Sequence, residues 1–190
     1  MIEDERIAAY INSLERESPL IISEIEKEAL EEYVPIIKKS TQNLLRFIIT
    51  AHKPNRILEV GAAVGFSSIL MSEYMPNNCV ITTIEKVANR IVKAKANIIR
   101  AKKEDKIILL EGDATEILHE LSENKENTYD LIFMDAAKGQ YMNFLQDILK
   151  LLPVGGILIS DNVLQDGDVT ESRYAVTRRN RTIHFRMREY

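Results

Sequence analysis

The sequence is poor in the residues that build disulfides and zinc sites, and it lacks long apolar runs. Its 190 residues include one cysteine, three histidines and no tryptophan. The single cysteine, Cys79, excludes an internal disulfide and fits a reducing cytoplasm, with a buried strand position as its expected role. No cluster of His and Cys offers a zinc site. No apolar run approaches the roughly 18 residues of a membrane helix, so no membrane partner is expected.

The sequence also shows no signal-peptide pattern, no internal repeat and no low-complexity segment. The first ten residues, MIEDERIAAY, carry acids where a signal peptide needs cations. A composition that is 45% apolar and 28% charged is that of an ordinary globular protein. The length predicts a single domain, and the single cysteine predicts a cytoplasmic location. We divide it into N-terminal helices (1–52), a core (53–165) and a basic C-terminal segment (166–190).

Charge is distributed unevenly along the chain. The net charge is -4, yet residues 1–33 carry -7 and residues 171–190 carry +4, the latter from six arginines and two glutamates. This polarity favours a basic patch for an anionic partner on an otherwise acidic protein. The alternative is a solvated helix with scattered arginines, because charge runs usually face water.

The apolar pattern predicts an α/β fold. Two amphipathic helices are expected before residue 33, broken near Ser18 and Pro19 and ended by Pro35, and a third from an N-cap at Ser40 to about Ala51. Short apolar runs then alternate with helical patterns near 66–75, 87–102, 114–122 and 139–151. Runs that are apolar without alternation are typical of strands buried on both faces, as in a parallel sheet covered by helices. The predicted strands are 56–60, 80–84, 107–110, 131–134 and 157–160.

The end of the first strand carries a glycine turn. In LEVGAAVGFSS, Gly61 and Gly65 allow a tight turn and a close approach to a ligand, and the following helix directs its N-terminal amides to the same place. The second strand ends at Glu85, 24 residues after Gly61, which is the spacing of an acid that accepts hydrogen bonds from ribose hydroxyls. Alone, Glu85 would be only an acid at a helix start.

The chemistry of this turn distinguishes two nucleotide classes. A dinucleotide site needs a second glycine where this chain has Ala63. Glu59, two residues before the first glycine, would repel a pyrophosphate but suits a ligand that carries an ammonium or sulfonium. The pattern therefore favours S-adenosylmethionine over NAD. The third strand leads into EGDA, where Asp113 and Ala114 are placed to meet the adenine edge.

Three hard oxygen ligands follow the last two strands. Asp135 ends the fourth strand, and Asp161 and Asn162 end the fifth. Neighbouring strands thus deliver them to one edge of the sheet, which suits Mg²⁺, for which Ca²⁺ or Mn²⁺ can substitute. The alternative is that Asp161 and Asn162 form a turn and that Asp135 caps the next helix.

Five stretches together resemble one family: ILEVGAAVGFSS, TIEK, EGDA, MDAAKGQY and ISDNVL. They resemble the class I, cation-dependent O-methyltransferases related to catechol and caffeoyl-CoA O-methyltransferases, with a Rossmann-like fold. The motif sequences DAAKGQY and DNVL resemble those of the bacterial branch of the family, which includes the tRNA 5-hydroxyuridine methyltransferase. The resemblance covers about residues 33 to 190. Such proteins run some tens of residues further and close the sheet with two more strands, so the segment 166–190 is expected to be truncated.

The resemblance implies roles for individual residues. Asp135, Asp161 and Asn162 match the metal ligands, and Glu85 matches the ribose acid. Lys138 matches the lysine beside the acceptor hydroxyl, as a base or an electrostatic group, although a solvent-facing lysine at a helix start is the alternative. The positions that match cofactor contacts are Ile37, Ser67, Asp113, Ala114 and Asp135, although helix packing accounts for Ile37 equally well.

The expected activity is Mg²⁺-dependent methyl transfer to a hydroxyl. Two adjacent oxygens must chelate the metal, as the 5-hydroxyl and 4-carbonyl of 5-hydroxyuridine do and as a catechol does. We rank a tRNA wobble-uridine methyltransferase first because of the arginines in residues 173–188. An arginine side chain can donate two hydrogen bonds to a phosphate and can stack on a base. A catechol-like or caffeoyl-CoA-like small-molecule methyltransferase is second, and a non-catalytic RNA-binding module is third. A homodimer is expected.

Overall fold

The computed structural model describes residues 5–14, 18–172, 174–177 and 181–190. Three helices precede the sheet: α1 (Glu5–Ser13), α2 (Leu20–Glu31) and α3 (Lys39–His52). Strands and helices then alternate, with short 3₁₀ helices at Lys138–Gln140 and Gln165–Thr170. The alternating elements are β1 (Arg56–Val60), α4 (Phe66–Ser72), β2 (Val80–Glu85), α5 (Ala88–Arg100), β3 (Ile107–Glu111), α6 (Ala114–Glu123), β4 (Leu131–Met134), α7 (Tyr141–Leu151), β5 (Ile157–Ser160) and α8 (Arg181–Glu189).

The five strands form one parallel sheet in the order β3-β2-β1-β4-β5. The chain moves outward from β1 to β3 and then returns to the other side of β1 for β4 and β5. The strand order therefore reverses between β1 and β4, which is where open α/β sheets bind ligands, beyond the carboxyl ends of the strands. The predicted parallel α/β fold with an N-terminal helical extension is confirmed.

The unbroken apolar runs are explained by burial on both faces of the sheet. In β4, Leu131 and Phe133 join the core formed with α2 to α5, whereas Ile132 and Met134 join the core formed with α6, α7 and α8. All four are fully buried. Each such side chain contributes about 1.5–3 kcal/mol, so the central strands are a rigid base for the residues that follow them.

Three sequence predictions need correction. Ser40 is not the N-cap of α3, since the cap position is Lys38, which makes no side-chain capping bond, and Ser40 lies within the first turn. The helix predicted from 139 starts instead with a 3₁₀ turn at Lys138 and becomes α-helical at Tyr141. The helix predicted to residue 75 ends at Ser72, since Pro76 follows closely and disfavours helical backbone before it.

The described helices were also compared with the dimensions of a bilayer. Within residues 5–14, 18–172, 174–177 and 181–190, no helix is long and apolar enough to cross a membrane.

Candidate functional site

A cavity of about 680 Å³ opens at the carboxyl ends of the strands. This volume is typical of small-molecule and cofactor sites. The structure brings most of the residues singled out from the sequence to its wall. On the side of β1, β2 and β3 these are Ile37, Gly61, Ser67, Glu85, Asp113 and Ala114. On the side of β4 and β5 they are Asp135, Lys138, Asp161 and Asn162.

The turn after β1 brings two strand ends into close contact. Gly61 has φ +105°, and a Cβ there would lie 2.1 Å from the carbonyl oxygen of Asp135. Only glycine lets the backbone of this turn approach the end of β4 so closely. The next residues are held to β2, because the amides of Gly61 and Ala62 both donate to the Ile84 carbonyl, at 3.1 and 3.0 Å. The turn therefore joins the ends of β1, β2 and β4.

Glu85 is oriented by backbone amides at the end of β2. Its side chain is almost buried, with the residue 6% exposed. One carboxylate oxygen accepts from the amides of Lys86 and Val87, and the other accepts from the amide of Ala63, each at 2.9 Å. A carboxylate has about four acceptor sites, so one direction remains for a ligand hydroxyl. Ala63 itself is in the left-handed region, with φ 46°.

Glu59 lies behind the cavity wall. The residue is 0% exposed, and its Oε2 accepts from the hydroxyls of Ser68 and Thr83, both at 2.5 Å. Within the described part of the chain, its Oε1 has no hydrogen-bond partner. Burial raises the pKa of this carboxyl, and the neighbouring hydroxyls offset the shift only in part. A direct contact between Glu59 and a cofactor stays a prediction, whereas Ser67, on the same helix as Ser68, lies on the wall.

Asp113 caps helix α6 at the end of β3. Its Oδ1 accepts from the Thr115 amide at 2.9 Å, and its Oδ2 is 3.2 Å from the Lys86 ammonium. The Thr115 amide, followed by the Lys86 side chain, lowers the pKa of Asp113. The neighbouring Ala114 begins the helix. Asp113 is therefore a charged cap at the rim of the cavity.

Asp135, Asp161 and Asn162 follow the ends of β4 and β5, and all three line the cavity. Met134 and Ser160 are paired in the parallel register, which places Asp135 and Asp161 next to each other beyond the sheet. Burial, and then the charge of Asp135, raises the pKa of Asp161. Asn162 follows with φ 52°, in the left-handed region that asparagine adopts more readily than most non-glycine residues.

Lys138 lies beside this pair of carboxylates. Its Nζ is 3.1 Å from Asp135 Oδ1 and 5.7 Å from the centre of the Tyr141 ring. The side chains of Lys138 and Asp135 are about one quarter exposed, so both can reach a molecule in the cavity. In the described part of the chain there is no group of three or more His, Cys, Asp and Glu side chains that could hold a metal. The set described above has two carboxylates and an amide oxygen, which are the donors that Mg²⁺ accepts.

Several residues at the site carry no signal in the sequence. The Thr41 hydroxyl lies 3.5 Å from Asp161 Oδ1, although 120 residues separate them in the chain. Lys86, Arg90 and Phe144 also line the cavity. A hydroxyl in KKSTQ or a lysine after a strand is too common to point to a site, and only the folded topology brings these residues together.

Part of the basic C-terminal segment lies outside the described residues. Arg173, Arg178 and Arg179 are among these, and of Arg181 only the backbone, at the start of α8, is described. Arg186 in the same helix donates to the Gly139 carbonyl, next to Lys138. A nucleic-acid surface in this segment therefore stays a prediction.

Comparisons with known proteins agree with this geometry. The family model described as "O-methyltransferase" matches residues 12–188. A catechol O-methyltransferase from Niastella koreensis is 29% identical over 89% of this chain and 71% of its own length. A caffeoyl-CoA O-methyltransferase from Stellaria longipes is 32% identical over 66% of this chain, and the match spans only 53% of that relative. The O-methyltransferase TomG from Streptomyces achromogenes, solved with S-adenosylmethionine, has a TM-score of 0.84 at 25% identity, covering 100% of this chain and 86% of its own. The expectation of a methyltransferase enzyme is confirmed, and the chain belongs to the O-methyltransferase family.

Proposed function

We propose that the protein transfers the methyl group of S-adenosylmethionine to a hydroxyl of a small catechol-like acceptor. The observation that carries this proposal is that Asp135, Asp161 and Asn162 all line one cavity, with Lys138 Nζ 3.1 Å from Asp135 Oδ1. Catechol and caffeoyl-CoA O-methyltransferases among the relatives support the same acceptor class.

The glycine-turn side of the cavity is suited to the cofactor. Glu85 keeps an acceptor direction for a ribose hydroxyl, and Gly61 leaves backbone space beside it. Asp135 lies across the turn from Gly61, and its carboxylate favours a cationic ligand over a pyrophosphate. A structural neighbour that binds S-adenosylmethionine supports this choice.

The β4–β5 edge has the donor set for a hard divalent ion. Asp135, Asp161 and Asn162 would hold Mg²⁺, and Ca²⁺ or Mn²⁺ accepts the same oxygens. Burial, and then the charge of Asp135, raises the pKa of Asp161, and a cation between the two carboxylates would favour their charged forms. When bound, such an ion lowers the pKa of an acceptor hydroxyl and orients it.

The chain's own residues do the remaining work at the acceptor. The acceptor hydroxyl first releases its proton to water. Its oxygen then forms the bond to the methyl carbon as the sulfur–carbon bond breaks, which leaves a neutral ether and a neutral thioether. We assign Lys138 Nζ to stabilising the negative charge that deprotonation leaves on the acceptor oxygen, because Nζ is held 3.1 Å from Asp135 Oδ1 at the cavity wall. Phe144 and Ile37 contribute apolar surface that excludes water. Correct placement of the two reactants can supply up to about 7–11 kcal/mol of the barrier reduction.

A methyl-transfer assay tests the proposal. The protein is incubated with S-adenosylmethionine and either a catechol, caffeoyl-CoA or tRNA that contains 5-hydroxyuridine, with Mg²⁺ or with EDTA. We expect S-adenosylhomocysteine to form with a small dihydroxy acceptor and only when a divalent ion is present. The same assay is run on Asp161→Ala, which should lose turnover. Asp105→Ala, which changes an exposed acid outside the cavity lining, is its control and should keep turnover. Turnover that is equal in Mg²⁺ and EDTA would contradict the metal assignment.

A second candidate is tRNA, favoured by the net charge of +4 on residues 171–190. If Arg178, Arg179 and Arg181 hold phosphates, replacing all three with alanine should weaken tRNA binding while leaving methylation of the free nucleoside unchanged. Each lost contact should reduce the slope of log K against log salt by about 0.7–0.9. Equal losses with tRNA and nucleoside would show that the segment is structural.

A further inference from the structure

The Tyr141 side chain lies directly beneath the edge where β4 and β5 end. It is fully buried, in the core formed with α6, α7 and α8. Its hydroxyl oxygen is 3.1 Å from the carbonyl oxygen of Met134 and 3.1 Å from that of Asp161. Met134 directly precedes Asp135, and Asp161 is itself one of the proposed ligands. One phenolic proton is therefore shared between the two strand ends that carry the ligand set.

The backbone pairing of β4 with both of its neighbours reaches as far as these strand ends. The Asp161 amide donates to the Met134 carbonyl at 2.9 Å, which continues the pairing of β4 with β5. At the next position the Asp135 amide donates to the Val60 carbonyl of β1, at 3.0 Å, because successive residues of a central parallel strand bond to opposite neighbours. The Tyr141 hydroxyl lies where the two chains separate and contacts both of them.

The ring of Tyr141 contacts two more parts of the site. Its centre is 5.7 Å from Lys138 Nζ, and it makes an edge contact with the Tyr190 ring at 5.5 Å. Burial on this scale fixes the ring, because a packed core admits few rotamers. A fixed ring in turn fixes its hydroxyl, so Tyr141 is suited to hold a distance that the ligand carboxylates need.

We propose that the Tyr141 hydroxyl is a positioning group that sets the spacing between Asp135 and the Asp161–Asn162 pair. The inference rests on the proposed function, since it concerns the same metal-ligand set. Tyr141 touches neither acceptor nor ion in this role, and it acts through the two carbonyl groups. Outer partners of this kind typically change metal affinity by about 10–100-fold when they are removed.

The test compares Tyr141→Phe with Tyr129→Phe. Tyr129 is equally buried in the same core but lies at the opposite end of β4, next to the face of the Arg56 guanidinium. Both variants lose one tyrosine hydroxyl and keep the ring. Mn²⁺ binding is measured by electron paramagnetic resonance, S-adenosylhomocysteine binding by calorimetry in the absence of metal, and folding by thermal melting. We expect Mn²⁺ affinity to fall about tenfold or more in Tyr141→Phe and less than twofold in Tyr129→Phe. S-adenosylhomocysteine affinity should stay within twofold in both.

A third variant tests whether a donor at this position is sufficient. Replacing Tyr141 with 4-aminophenylalanine puts an N–H donor where the O–H was, and we expect it to restore most of the lost Mn²⁺ affinity. Unchanged Mn²⁺ affinity in a folded Tyr141→Phe protein would overturn the inference. It would also be overturned if Tyr141→Phe failed to fold, or if Mn²⁺ affinity, S-adenosylhomocysteine affinity and melting temperature all fell together, because the hydroxyl would then serve the whole core. If the unchanged protein does not bind Mn²⁺, the metal site of the proposed function fails instead.

Discussion

At the ends of β2 and β3, Glu85 and Asp113 accept hydrogen bonds from backbone amides, whereas at the ends of β4 and β5, Asp135 and Asp161 lie beside each other. In the first region the negative charge is already compensated in the protein. In the second, burial and the Asp135 charge raise the pKa of Asp161, and Lys138 is 3.1 Å from Asp135. The carboxylates at the ends of β2 and β3 are thus held by backbone amides, whereas those at the ends of β4 and β5 lie beside each other with one lysine ammonium next to them.

The largest expected effect is a loss of turnover, without a matching loss of cofactor affinity, when the β4–β5 region is changed. Asp161→Ala should lower turnover with Mg²⁺ by about 1,000-fold or more, because it removes a ligand of the proposed ion, whose Lewis acidity is worth several kcal/mol. Affinity for S-adenosylhomocysteine should change by no more than several-fold, since Asp161 lies on the other wall. Steady-state kinetics and titration calorimetry measure the two quantities. If cofactor affinity falls as steeply as turnover, the division of roles is wrong.

A change at Gly61 should disturb both regions together. Gly61→Ala would place a Cβ 2.1 Å from the Asp135 carbonyl oxygen at a φ of +105°, so β1 and β4 must shift apart. We expect a loss of about 3 kcal/mol in the free energy of unfolding, the range of severe packing and backbone changes. Urea denaturation measures it.

Gly155 is the matched control for Gly61. It also has a positive φ, of +89°, but a Cβ there would meet no atom within 4 Å. Gly155→Ala should therefore cost only the backbone strain, about 1–2 kcal/mol. Equal losses in the two alanine variants would show that the contact between Gly61 and Asp135 contributes little.

A third, smaller effect should be confined to the cofactor region. Glu85→Gln keeps the size of the side chain but replaces one acceptor oxygen with an amide group, which faces backbone N–H donors. We expect S-adenosylhomocysteine affinity to fall about tenfold, the equivalent of about 1.4 kcal/mol. Mn²⁺ affinity should stay within twofold. A matching loss of Mn²⁺ affinity would mean that the two regions are coupled through the turn at Ala63.

The two regions also differ in how far the sequence predicts them. The strands and the residues at their ends follow from apolar runs that stop at a polar residue. The observed bounds of all five predicted strands agree with the prediction to within one residue. Ser40 was assigned wrongly as a cap because a local preference competes with packing of the whole helix, in which Gln42 is buried against Glu26 and the Ile37 carbonyl.

Contacts between distant parts of the chain were beyond the sequence. Thr41 lies near Asp161, and Tyr141 joins Met134 to Asp161, only because the sheet order brings β4 and β5 together beside α3 and α7. The burial of Glu59 behind the wall likewise depends on the direction its side chain takes from β1, toward Ser68 and Thr83. Spacing along the chain carries no information on these directions.

The smallest expected effects concern the free energy of unfolding of the metal-free protein. We expect a substitution at Asp161 to raise it and a substitution at Asp113 to lower it. Burial and the Asp135 charge raise the pKa of Asp161 above its ordinary value of 3.8. The fold without metal therefore favours the protonated form of Asp161. The stability that protonated Asp161 contributes is present below the ordinary pKa and is lost as the pH rises through the raised pKa of the folded state. At pH 7 the charged Asp161 lowers the stability of the metal-free fold, so Asp161→Asn should increase the free energy of unfolding in EDTA.

Asp113 should show the opposite sign. The Thr115 amide and Lys86 lower its pKa, so its contribution is present above 3.8 and lost as the pH falls through the lowered value. Asp113→Ala should cost about 1 kcal/mol at pH 7, the usual loss of a helix cap. Urea denaturation in EDTA at pH 7 and again near pH 4 measures both variants. The Asp161→Asn difference should shrink at pH 4, whereas the Asp113→Ala difference should largely remain, because pH 4 is still above the range in which the Asp113 contribution is lost. Changes of the same sign at pH 7 would show that the carboxylates of the two regions are held in the same way, and the metal-free acceptor region would then need no further positive charge.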